Sequence, residues 1–166
     1  MARLRTVVFS SALVSVALCA GDYDALMGTM EKAWPQVKTL AVVCDAGASR
    51  RAVTALTGAA TGFKVLVVDV KGPQDVGRAV AALSGRKPDA VVLLAGDHVA
   101  GDGSSVASFI IQRMAIQKIP TVATTEAAVK QGAVLAIGPG TGGRLYANAR
   151  VAGVIGVPVP AGATTL

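Results

Sequence analysis

Histidine, cysteine and aromatic residues are scarce in this sequence. A single histidine, His98, leaves a multi-histidine metal site without ligands, so no metal is expected. Two cysteines exclude a disulfide scaffold. Aromatics make up 4% of the chain, too few for the stacking platforms of single-strand nucleic-acid binders. Charged residues are only 16% against 52% hydrophobic, which excludes a disordered chain. The net charge of +6 comes from scattered basic residues, so no nucleic-acid partner is expected. No apolar run reaches the roughly 20 residues of a spanning helix, and no stable membrane span is expected. What remains is an apolar chain of 166 residues, the length of one domain with a substantial core.

The chain opens with a leader-like pattern. Arg3 and Arg5 precede an uncharged apolar stretch from Thr6 to Leu18, and the small residues Cys19, Ala20 and Gly21 follow. This three-part pattern reads as a signal peptide over 1–20 and implies a periplasmic or secreted protein. The competing reading is a buried first strand or helix.

From there, two textures alternate. Short Val/Leu/Ile-rich runs occur at 39–44, 64–70, 90–95, 120–124 and 133–137. Near-continuous apolar runs of this length suit strands buried on both faces of a parallel sheet. Helix-period segments lie between them, at 22–34, 49–60, 75–83, 104–116, 126–131 and 141–153. Pro35 stops the first; Ser104, Thr125 and Thr141 are candidate N-caps; Gly85 and Gly132 are candidate stops. A helix followed by five βα units predicts a three-layer, doubly wound α/β domain over 21–156. Its mostly parallel five-stranded sheet should have the flavodoxin-like order 2-1-3-4-5. The Pro/Gly-rich tail 157–166 reads as loop.

Ligands of such sheets sit beyond the carboxyl ends of the strands. That rule selects Asp45, Ser49 and Arg50 after the first strand, and Asp97 and His98 after the third. It adds Thr125 and Glu126 after the fourth, and Gly138, Gly140 and Arg144 after the fifth. Helix starts there offer free N–H groups to an anion, and Arg50 or Arg144 could grip a carboxylate. Gly138, Gly140 and Gly143 fit GxGxxG. They follow the last strand rather than the first, however, and no acid occurs after Glu126 to hold a ribose. They read as turn glycines. No GxxxxGK[ST] occurs, so no nucleotide cofactor is expected. A receiver-domain reading fails because Gly138 stands where its lysine should be. Asp97-His98 as an acid–base pair, or Cys44 as a nucleophile with His98, has no oxyanion or metal set around it. No catalytic residue is assigned.

Several stretches together carry a resemblance. They are Trp34-Pro35-Gln36-Val37-Lys38-Thr39-Leu40-Ala41-Val42-Val43, Lys87-Pro88-Asp89-Ala90-Val91-Val92, Lys118-Ile119-Pro120-Thr121-Val122-Ala123, Val129-Lys130-Gln131-Gly132-Ala133, and Ile137-Gly138 with Gly143-Arg144. In order and spacing, over about 22–160, they resemble the second lobe of type I periplasmic binding proteins, in the ABC-transporter branch associated with amino-acid-like ligands. The resemblance implies a non-enzymatic solute-binding protein with a small-molecule ligand at the strand-end loops. That family closes two lobes on its ligand, and one lobe is expected here. A second copy (a homo-oligomer) or a partner protein would then supply the other. Two departures stand out: Thr125 takes the place of the family's acidic residue, and Pro139-Gly140-Thr141-Gly142 replaces its aromatic pair. Two other readings are a structural subunit of an extracytoplasmic assembly, and a cytosolic nucleotide-binding α/β protein or enzyme.

Overall fold

The computed structural model describes residues 21–166; the leader reading of 1–20 lies outside the described residues. The chain begins with α1 (Gly21–Ala33) and β1 (Thr39–Cys44), then α2 (Arg50–Ala59) and β2 (Lys64–Asp69). A short 3-10 turn at Pro73–Asp75 leads into α3 (Val76–Arg86) and β3 (Ala90–Leu93). Next come α4 (Ser105–Ile116), β4 (Thr121–Thr125), α5 (Glu126–Lys130) and β5 (Leu135–Gly140). The chain finishes with β6 (Tyr146–Ala147), α6 (Ala149–Ile155) and β7 (Thr164–Thr165). The strands form one sheet in the order β2-β1-β3-β4-β5-β6-β7. The first five are parallel in the expected 2-1-3-4-5 order, and β6 then runs antiparallel to β5.

The central strands are apolar on both faces because helices cover both. Leu40, Val42, Val92 and Leu135 meet Tyr23, Met30 and Trp34 of the α1 region, Leu56 of α2 and Ile155 of α6. Ala41, Val43, Val91 and Leu93 meet Leu83 of α3, Ile110 and Met114 of α4 and Val129 of α5. Alternate residues of one strand thus enter opposite cores, as the period of two requires.

Caps follow the sequence at two sites. Ser104 and Thr125 accept the amides of Ala107 and Ala128. Gly132, at φ 111°, closes the turn after α5. Three readings need correction. Thr141 caps no helix; its hydroxyl turns back onto Gly138, and the last helix starts only after Asn148, which caps it through Val151 N. The stretch read as the first half of that helix holds β6 instead. Gly85 stops nothing; α3 runs one residue on, and Lys87 takes the left-handed turn at φ 46°. The tail is not all loop: Thr164 and Leu166 bond to Leu145 and Ala147 and add β7, and the Trp34 indole N–H donates to Pro158 O at 2.9 Å. These pairings join segments distant in sequence, so no local period announced them.

Candidate functional site

Because the five strands are parallel, all their carboxyl ends open on one rim. The rim carries the selected residues in two groups.

The first group lies beyond β1, β2 and β3. Asp97 is buried, and it organises the group. Its Oδ2 accepts Asp45 N–H at 2.9 Å and the Ser49 hydroxyl at 2.6 Å; its Oδ1 accepts Val99 N and Ala100 N at 3.0 and 2.7 Å. Four donors on one carboxylate make Asp97 the clamp of two loops. Ser49 is consumed by the same clamp, so it makes no side-chain cap on α2. Asp45 has a freer role. It accepts Gly47 N and Ala48 N, and its Oδ1 holds the Lys71 ammonium at 2.7 Å. The Lys71 hydrogen bond, with help from the Ala48 amide, lowers the Asp45 carboxyl from an ordinary 3.8 to about 2. Asp69 shares Lys71 at 3.1 Å and accepts Ala46 N. His98 stands exposed, with Nε2 at 3.6 Å from Asp45 Oδ2. Arg50 is exposed at the first turn of α2.

The second group lies beyond β4 and β5. Glu126 pairs with Lys130 at 2.6 Å, and Lys130 first, with Tyr146 and Arg144 contributing, holds its carboxyl below the usual range. Thr125 spends its hydroxyl as the α5 cap. Gly138 is buried, with its N–H on Thr141 Oγ1 and its carbonyl accepting from Gly143 N and the same hydroxyl. A β-carbon on Gly138 would lie 2.9 Å from Thr124 Cβ. It is therefore a close-packing glycine, in a β5 whose register against β4 slips before Gly140. Arg144 is exposed beside this turn.

Between the groups, Asp102 accepts Thr124 N and Thr124 Oγ1 at 2.9 and 3.0 Å. Burial pushes its carboxyl up, and the Thr124 bonds pull it partly back. Strand-end logic applied to β2 would have found Asp69 and Lys71, because the register sets Asp69 beside Cys44. The sequence reading took the ends of the first, third, fourth and fifth strands and passed over the second.

Cys44 does not fit the nucleophile alternative. It is fully buried, and burial followed by the charges of Asp97, Asp69 and Asp45 pushes its thiol up to about 12. At neutral pH it holds its proton and cannot act as a thiolate. Among the described residues, no three His, Cys, Asp or Glu side chains are grouped to hold a metal, and no helix is long and apolar enough to cross a membrane.

The rim is open. Gly47, Ala48, Gly96, His98, Gly103, Gly142, Gly143 and Arg144 are all exposed. A hollow of about 400 Å³ lies elsewhere, between α1 and the tail at Thr29, Lys32, Leu145 and Pro158.

Comparison with solved structures gives the fold a context. An ABC domain from Streptococcus pneumonia, in complex with L-Trp, superposes with a TM-score of 0.72 at 15% identity, over 87% of this chain and 60% of that one. A ligand-free, open substrate-binding protein with adhesive properties from Clostridium difficile superposes at 0.70 with 18% identity, over 84% and 58%. The fold is a mostly parallel α/β fold similar to that of substrate-binding-protein lobes. This chain spans about 60% of the length of those two proteins. No protein-family model matches the sequence, and no curated protein matches it.

Proposed function

We propose that this protein is a non-enzymatic, solute-binding-like lobe acting outside the cytoplasm. Its ligand is a small molecule with an anionic group, held on the strand-end rim together with a partner chain. The observation that carries the reading is the rim beside α2. Ser49 is diverted to Asp97, so the first N–H groups of α2 have no side-chain cap, next to exposed Arg50 and the Asp45–His98 pair. Such a helix start favours a carboxylate. Mixed charge beside it suits a zwitterion of the amino-acid type. Good small-molecule sites bury most of their ligand, and an open rim buries one side, so a facing surface completes the site. A second copy is the simplest supplier.

Thermal-shift and calorimetric screening of the full chain against amino acids and small carboxylates tests this. The expected result is stabilisation by one ligand class, lost in Arg50→Ala and weakened in His98→Ala. Failure of every ligand at every protein concentration overturns it. A second reading has its own support: Ile116 and Val154 are 75% and 64% exposed. Apolar surface of that kind fits a structural subunit that buries it in an assembly. Recovery as a partner-free monomer at high concentration counts against that.

A further inference from the structure

The sheet ends at β2, which among the described residues pairs with β1 alone. Among the described residues, no strand pairs with the backbone donors and acceptors of its outer edge. Native proteins usually blunt such an edge with proline, a bulge or a central charge. Here the centre is Val65-Leu66-Val67-Val68, with Val67 39% exposed.

Beside that edge, α3 forms the wall of a hollow of about 230 Å³, lined by Val67, Val68, Arg78, Ala79, Ala82 and Arg86, with Asp69 at the end of β2, where it is paired with Lys71. Arg78, Ala82 and Arg86 follow one another at four-residue spacing, so they form one stripe along α3. The stripe is cationic at both ends and small in the middle. Eight helical residues rise about 12 Å, and four strand residues span about 13 Å. A strand laid along β2 therefore brings its residues i and i+4, which share a face, to the two arginines, and residue i+2 to Ala82. Arg78 is bound to Asp75 at 2.8 Å, yet its side chain is 79% exposed. A guanidinium keeps further donors after one bond.

We propose that β2 and α3 form a docking groove for an extended segment of another protein. The segment adds a strand to the sheet and reads acid-x-apolar-x-acid on its α3-facing side. Strand addition supplies the backbone bonds, and the stripe supplies selectivity. Charge selects this occupant over two others. The first twenty residues of this chain carry no acid, so they offer no partner for the two arginines. Pairing β2 with β2 of a second copy about a two-fold axis sets the two α3 helices side by side, again with arginines opposed.

The test uses the full chain and a labelled, end-capped heptapeptide, Thr-Glu-Thr-Val-Thr-Glu-Thr. Fluorescence anisotropy measures affinity, and amide hydrogen exchange follows residues 65–69. Expected are saturable binding and slowed exchange of the outward amides of β2. Affinity should fall at least tenfold when both peptide glutamates become glutamine, and likewise in Arg78→Glu/Arg86→Glu, while Arg78→Lys/Arg86→Lys keeps most of it. No binding overturns the proposal, as does binding indifferent to both charge changes. Outward β2 amides already protected without peptide also overturn it. Protection that grows with protein concentration assigns the edge to a second copy, and protection independent of concentration assigns it to the chain's own residues.

Discussion

Asp97 and Asp45 are adjacent on the rim and do opposite jobs. Asp97 accepts four donors and is buried. Removing an acceptor strands each buried donor, and bonds to a charged group are the stronger kind. Asp97→Ala should therefore cost about 3 kcal/mol, read as a lower urea midpoint at unchanged slope. Asp45 is a pH element. Its folded value of about 2 lies below the ordinary 3.8, chiefly because of Lys71. A lowered carboxylate contributes stability that is present above 3.8 and lost as pH falls toward about 2. Asp45→Asn should flatten the pH dependence of unfolding in that window and lower stability at neutral pH, where the charged bond to Lys71 is lost. Asp102 has the opposite sign. Its value is raised, so its contribution falls as pH rises above 3.8 through that raised value. Monitoring Asp45→Asn alone therefore separates the two.

Among the α-helices, α2 is the most lightly held. Leu56 is its one fully buried residue. Leu56→Ala should cost about 3 kcal/mol and raise amide exchange across α2 before the rest of the sheet opens. The end of α3 offers the reverse. Lys87 sits at φ 46°, a left-handed position that glycine takes without strain. Lys87→Gly should be neutral to stabilising by up to about 1 kcal/mol, measured by thermal melting. The same elements show what the sequence made legible. Five apolar runs and the helices between them carried the parallel sheet, its order and its rim, because a strand covered on both faces must be apolar at every position. β6 and β7 were not legible. Each is two residues long, and each exists through a distant partner, as when Thr164 finds the carbonyl of Leu145. The strand-end residues were legible by position and not by the bonds they make. Asp45, Ser49, Asp97 and His98 do converge, but nothing local says that Ser49 bonds to Asp97 rather than to its own helix. Lys71 sits two residues past the end of a strand with no motif around it, and only the register of β1 on β2 places it against Asp45.

For the whole molecule, the open rim sets what binding can look like. A ligand held on one side keeps much of its surface in water. It also leaves the ordering of Arg50 and the β1–α2 loop to be offset by few contacts. A single copy should then bind with a dissociation constant on the order of millimolar, worth about 4 kcal/mol. Closing a second surface over the same ligand adds contacts without a second loss of ligand freedom, so apparent affinity must rise with protein concentration if that surface is another copy. Ligand at one hundred times its dissociation constant stabilises the folded state by about 2.7 kcal/mol, a melting shift of roughly 5–10 °C for a domain of this size. Titrating an effective ligand at micromolar and at near-millimolar protein should thus give two different midpoints, with the tighter one accompanied by a dimer in sedimentation. A midpoint independent of protein concentration, with a large shift and a monomer throughout, would mean that the rim alone suffices and that no facing copy takes part.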